Sequence, residues 1–260
     1  STTTLILCPE CGAAHTDELQ ERCHACAAPL GGAERLDTVF RIDNVETAPS
    51  ERITANDEDR QRRGFEIQTV FQWPVHNGSP DIRSTTLCAD DTELLRLDYG
   101  AATKLSRINK GLRRRKSKSI CGFFIDPNSG RWLKDPENGD DDDGMGDPTQ
   151  AKPQRIVPMV EDHKNALLLQ PKVSLSTEEM ATFQHAFIRG IQLVFELEEG
   201  EILGEPLPTR DIRHTILLYE ATEGGAGVLN RLVADPAKVA EVARESLKLM
   251  HYKEPFEPGD

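Results

Sequence analysis

The sequence has no run of 18 or more apolar residues, so no helix able to cross a bilayer is expected. Its opening, STTTLILC, is too short for a secretory leader and lacks the positive start of one. Aromatic residues are scarce, with 2 Trp, 3 Tyr and 9 Phe among 260 residues, so any core must be mainly aliphatic. No Gly-x-x-x-x-Gly-Lys-Ser/Thr occurs, which excludes a P-loop ATPase site in this stretch. No internal repeat is present. Positive charge is in deficit: 31 Lys and Arg face 44 Asp and Glu, a net charge of −13. Such a surface does not coat duplex DNA, although a local basic groove remains open to it. Cys88 and Cys121 stand alone, which argues against a secreted disulfide scaffold. These absences predict a cytoplasmic, thiol-reducing setting with no membrane partner. Both ends read as cuts within something longer.

What is present begins with CPECGAAHTDELQERCHAC. Cys8 and Cys11 form one Cys-x-x-Cys pair and Cys23 and Cys26 another, with eleven residues between the pairs. A tight Cys-x-x-Cys turn lets two thiolates reach one ion, and a second turn closes the tetrahedron. Gly12, directly after Cys11, frees the backbone to curl around the sulfurs. The spacing predicts a structural Zn2+ on Cys8, Cys11, Cys23 and Cys26, with no open position for catalysis. A redox pair needs only one Cys-x-x-Cys, at a strand-to-helix junction. His15 and His24 are alternative ligands that could replace a cysteine, but with four thiolates present they read as bystanders.

The predicted fold is α+β: an N-terminal zinc ribbon, a mixed, mainly antiparallel sheet, and a helical C-terminal third on the same body. The expected parts are a ribbon at 1–32, a β-rich part at 33–135, an acidic flexible loop at 136–154 and an α/β part at 155–260. Within the second part, Asp57–Arg63 reads as a short helical turn. Phe65, Ile67, Thr69, Phe71 and Trp73 then alternate with more polar neighbours as a half-buried strand should. ELLRLDYGA and TKLSRIN read as separate strands, and CGFFIDPNSGRWLKD as a hairpin turning at Pro127–Gly130. EDHKN (161–165) reads as a loop. The run of four aspartates at 140–143 does not fit an EF-hand loop, because Gly139 would stand at its first position. In the last third, Ser176 and Glu179 form a capping box. Met180, Phe183, Phe187, Ile191, Val194 and Phe195 follow at helical spacing. HTILLYE is a buried strand, and the glycine-rich turn 224–227 opens a helix. Asp235-Pro236 starts the last helix, with Val239, Val242, Ala243 and Leu247 inward.

The segment KLSRINKGLRRRKSKS concentrates Lys104, Arg107, Lys110, Arg113, Arg114, Arg115, Lys116 and Lys118 with no acid among them. Such a cluster suits phosphate contacts and salt-dependent DNA binding. It has no aromatic residue for base stacking. Its alternatives are a solvated loop or an internal partner for the aspartates. Arg60, Arg62 and Arg63 are interleaved with acids and read as a solvated helix face. Glu220 and Glu223 beside the glycine turn would repel phosphate, so a packing turn is favoured there over a catalytic site. The ending HYKEPFEPGD lacks the aspartate of a phospholipase-D-type His-Lys-Asp motif.

Taken in order, CPECG…CHAC, RIDNVETAPSERITANDEDRQRRGFEIQT, RINKG…GFFIDPNSGRW and QHAFIRGIQLVFELEEGEI…ILLYEATEGGAGVL resemble the C-terminal region of large bacterial DEAD/DEAH-type superfamily-2 helicases. That region carries the MrfA-like zinc-binding (MZB) domain, and such helicases act in DNA repair and in DISARM- or Druantia-like anti-phage defence. In that family a further cysteine-containing segment often lies downstream of the glycine block, and this sequence ends before it. The resemblance implies a non-catalytic accessory module of an ATP-dependent DNA helicase, with motor domains upstream and defence or repair subunits as further partners. It would contact single-stranded or forked DNA or brace the motor. Two other readings are a protein–protein adaptor without DNA binding and an uncharacterised nucleic-acid-processing enzyme.

Overall fold

The computed structural model describes residues 2–43, 64–133, 152–222 and 224–252. The proposed helical turn at 57–63, Glu223, and all but the last residues of the acidic segment fall outside them. The chain runs β1 (Thr2–Leu7), β2 (Ala14–His15), β3 (Glu34–Arg41), β4 (Phe65–Gln72), β5 (Val75–His76), β6 (Ser79–Pro80), β7 (Arg83–Ala89), β8 (Thr92–Leu112), β9 (Phe123–Ile125), β10 (Trp132–Leu133) and β11 (Gln154–Pro171). It continues with α1 (Thr177–Val194), β12 (Ile202–Pro208), β13 (Arg213–Glu220), α2 (Val228–Ala234) and α3 (Pro236–Leu249). The fold is α+β. Eleven strands form one sheet, and its ladders are antiparallel except where β11 runs parallel to β3.

Two long, bent strands organise this sheet. The first half of β8 pairs with β7 and with the second half of β11, which in turn pairs with β13. The second half of β8 pairs with β4 and with the first half of β11. The bend lies at Ala102, whose φ is +53°, opposite a register shift between Lys164 and Ala166. An extra residue in one strand of a ladder bends it in this way. The Asn165 side chain fastens the bend by accepting from the Ala102 amide at 3.3 Å.

Two expectations are corrected here. ELLRLDYGA and TKLSRIN belong to one 21-residue strand. EDHKN is the middle of β11 rather than a loop. Its Asp, His, Lys and Asn residues have weak strand preference, but pairing from end to end with β8 overrides that preference.

The helices cover one face of the upper half-sheet, made of β7, β13, the first half of β8 and the second half of β11; β4 with the other halves of β8 and β11 makes the lower one. Leu95, Leu97, Leu167, Leu169, Ile216 and Leu218 bury there against Met180, Phe187, Ile191, Val239 and Val242. The capping box forms as its sequence predicts: Glu179 N–H donates to Ser176 Oγ, and Glu179 Oε2 accepts from the Ser176 amide. Asp235 caps α3 and Pro236 opens it. On α3, however, Ala243 is exposed and Ser246 is buried in its stead, because Gly190 of α1 comes up against Ser246.

The opposite face carries Ala166, Leu168, Leu217 and Tyr219. They pack on Phe71, Trp73 and Leu105 of the lower half-sheet, on Leu207, and on Cys8, Cys11 and Cys23. The cysteine knuckles are thus part of the central core.

Candidate metal centre and basic cleft

Each Cys-x-x-Cys turn closes in the same way. In the first, the Gly12 amide donates to the Cys8 carbonyl and the Cys8 amide to the Ala13 carbonyl, at 3.0 and 2.9 Å. In the second, Ala27 donates to Cys23 and Cys23 to Ala28, at 2.9 and 2.8 Å. Both turns place their fifth residue in the left-handed region, Gly12 at φ +71° and Ala27 at +60°. The four Sγ atoms converge within 4.8 Å of one another, with Cys8–Cys26 and Cys11–Cys23 each at 3.6 Å. A tetrahedron of ~2.3 Å Zn–S bonds has edges of about 3.8 Å. The donor set is all thiolate and largely buried, and the Ala25 amide donates to Cys23 Sγ at 3.3 Å. The quartet fits a structural Zn2+ and leaves no open coordination position. Crowding splits the thiols: bonding to Cys11 pulls Cys8 far down, and bonding to Cys23 pushes Cys11 far up. A bound dication lets all four ionise together.

His15 and His24 sit beside this centre with their Nδ1 atoms 3.0 Å apart. Gln20 fixes the tautomer. Its Nε2 donates to the Arg22 carbonyl, so its Oε1 faces His15 Nδ1 and accepts from it. Burial pushes both imidazoles down, His24 to about 4. The two rings pack edge to face beside the quartet.

The eight cations of 104–118 take different positions. Lys110 is buried and ion-paired to Glu34, at 2.5 Å. Lys104 pairs with Glu161 at 3.1 Å. Arg115 and Lys118 both reach Glu66 Oε2, at 2.6 and 3.2 Å. Burial of Glu66 opposes ionisation, but these two cations hold its carboxyl below the usual range. Arg107, Arg113, Arg114 and Lys116 have no carboxylate partner among the described residues. Arg107 Nη2 instead donates to the Tyr219 hydroxyl at 2.7 Å, which fixes its guanidinium and leaves other N–H groups free.

Arg107 and Arg113 line a cleft of about 790 Å3 between the edges of β4 and β12. The sequence GEPLP explains why it stays open. Pro206 and Pro208 have no N–H, so the outer edge of β12 cannot zip onto β4 as a ladder. The Gln68 side chain bridges the seam instead, donating to the Pro208 carbonyl at 3.2 Å. Across the cleft stands Arg210, in the turn from β12 to β13, also without a carboxylate partner among the described residues. Sequence reading missed Arg210, because it stands alone between Thr209 and Asp211 and far from the basic cluster. A second hollow of about 350 Å3 adjoins the cleft and shares Thr69 and Arg107 with it.

Glu220, at the end of β13, stands beside the glycine turn. This buried carboxylate accepts from Asn165 Nδ2 at 3.0 Å and from the Leu229 amide in the first turn of α2 at 3.3 Å. Gly225 lies against it so closely that a Cβ would collide with Glu220 Oε2. The turn packs against this hydrogen-bonded, buried carboxylate.

Residues 183–251, from mid-α1 through α3, match the family profile of the MrfA Zn-binding (MZB) domain. This bears out the resemblance for the C-terminal part. The matched residues contain no cysteine, so the zinc thiolates come from the N-terminal knuckles outside them. No curated protein matches the chain. Among solved structures, the crystal structure of the DUF1998 helicase MrfA bound to DNA is similar at 13% identity and a TM-score of 0.39, over 76% of this chain. The chain spans 22% of the length of that helicase.

Proposed function

We propose that this chain is a zinc-stapled, non-catalytic accessory module of a DNA helicase that grips a nucleic-acid strand in the cleft between β4 and β12. The motor would lie elsewhere in the parent protein, in DNA repair or phage defence. One observation carries the reading. Arg107 near the end of β8, Arg113 just beyond it and Arg210 from the turn after β12 line one cleft, and none has a carboxylate partner among the described residues. In a chain of net charge −13, three guanidiniums facing one hollow outnumber the two carboxylates without a cation partner there, Glu205 and Asp211, and suit an anionic polymer. Ile67, Pro206 and Pro208 supply apolar surface beside them, which suits the sugars and bases of a single strand. Arg114 and Lys116 extend the basic surface outward. The MZB match over 183–251 supports the helicase context.

The test is a salt titration of the zinc-loaded protein against single-stranded, duplex and forked DNA. Affinity should fall steeply with salt. Arg107→Gln, Arg113→Gln and Arg210→Gln together should reduce the slope by about 2, at ~0.7 per single-strand phosphate contact. Absence of binding at low salt would overturn the reading.

A second reading, a protein adaptor, has its own observation. Phe183, Ala186, Ala243, Leu247 and Met250 line an apolar groove of about 470 Å3 between α1 and α3. It gains ground if DNA binding is absent.

A further inference from the structure

One acid inside the basic cleft is placed differently from the others. Glu66, near the start of β4, lines the cleft together with Arg113 and Lys118. Its Oε2 receives both Arg115 Nη1 and Lys118 Nζ. The two cations differ in freedom. Arg115 is largely buried and also donates to the Leu112 and Lys118 carbonyls, so it is part of the loop's frame. Lys118 is 63% exposed; its ammonium also donates to the Arg113 carbonyl at 2.5 Å, a bond it can keep while its other N–H groups turn from Glu66 to another anion. One oxygen held between a guanidinium and an ammonium is also how a non-bridging phosphate oxygen is bound.

We propose that Glu66 is a resident anion that occupies a phosphate position in the cleft, and that an incoming strand displaces it from Lys118. This rests on the reading of the cleft as a nucleic-acid site. The exchange trades one anion for another on the same cation, so it lowers resting affinity. Strands with enough phosphates to engage Arg107, Arg113 and Arg210 at the same time would be favoured over isolated anions. Glu205 and Asp211 line the same cleft without a cation partner among the described residues, so they contribute only general repulsion.

The test measures binding of a labelled oligo(dT) strand to the zinc-loaded chain across a salt series. Glu66→Gln should tighten binding roughly three- to tenfold at low salt with the salt slope nearly unchanged, because Lys118 meets a phosphate in both proteins and only the displacement of the resident anion is saved. Glu205→Gln should also tighten binding, and by the same factor in a Lys118→Met background, where the gain from Glu66→Gln shrinks because no cation is left to contest. Lys118→Met in the otherwise natural chain should reduce the slope by about 0.7. The proposal is overturned if Glu66→Gln binds no tighter while keeping its zinc and its melting temperature. Should Glu66→Gln melt early, Lys118→Met decides, since its side chain is exposed: an unchanged slope overturns the displacement. If the natural chain binds no strand at all, the reading of the cleft falls first and this one with it. Natural binding with an indifferent Glu66 removes only the resident-anion role.

Discussion

Gly12 and Ala27 occupy the same position in the two knuckles, and both are left-handed. That conformation costs an L-residue about 1 kcal/mol or more. Ala27 is exposed and bears that cost alone. Gly12 is buried, and a Cβ there would come within 3.2 Å of the Pro208 backbone and 3.0 Å of Leu207 Cδ2. The two sites therefore answer oppositely to mutation. Ala27→Gly should stabilise the protein by about 0.5 kcal/mol, less than the strain removed because glycine loosens the unfolded chain. Gly12→Ala should cost about 2 kcal/mol or more through strain and through pressure on β12. Urea unfolding of the zinc-loaded variants checks both, and a neutral Gly12→Ala would contradict the close approach. At this scale the quartet was fully legible, since four thiols at this spacing leave one geometry. The cleft was only half legible. Arg107 and Arg113 lie in a visible cluster, whereas Arg210 acquires meaning only when β12 turns back beside β4. The cluster also conceals a division: Lys110 and Arg115 are tied to Glu34 and Glu66, acids distant in sequence.

Among the elements, the helices were the more legible because their signals are local. Ser176 with Glu179 and Asp235 with Pro236 each fix a start by bonds within one turn. The long strands were not, because a bend at Ala102 and a polar stretch at 161–165 look like breaks until the partner strand is known. The same lesson applies to α3, whose pattern points Ala243 inward. Tertiary contact decides otherwise at Gly190. A Cβ at this glycine would collide with Ser246 Oγ and stand 2.6 Å from the Val242 carbonyl. Ser246 in turn donates to that carbonyl at 2.7 Å. Gly190→Ala should gain about 1 kcal/mol of helix propensity. Overpacking works against that gain, at about 1–3 kcal/mol. A net loss in urea midpoint at unchanged m-value is expected. A net gain would show that α1 and α3 separate more readily than their contact implies.

For the whole molecule the decisive fact is where the metal sits. A zinc ribbon appended to a domain would lose its metal without disturbing the rest. Here Cys8, Cys11 and Cys23 share one buried cluster with Phe71, Trp73, Leu105, Leu168, Leu207 and Leu217. Phe71 and Leu105 come from the lower half-sheet, Leu168 and Leu217 from the upper one, and Leu207 from the strand that forms one wall of the cleft. Ala13, just after the first knuckle, even bridges to Phe71. Structural zinc in small domains contributes folding free energy directly, on the order of 10 kcal/mol, and in this arrangement it acts on both half-sheets at once. Removing the metal leaves four crowded thiols that cannot all stay ionised within the core. Chelation, or Cys11→Ser, should therefore destabilise the sheet as well as the knuckles. Tryptophan emission reports this directly. Trp73 is 3% exposed and lies in the zinc-side cluster, while Trp132 is 55% exposed and already faces water. A red shift on chelation, reversed by added Zn2+ and accompanied by a lower melting temperature, is the expected result. Emission and melting temperature unchanged after complete metal loss would mean that the knuckles only rest on the core. The cleft between β4 and β12 would then keep its shape without zinc, and the strand binding proposed for it would not depend on the metal.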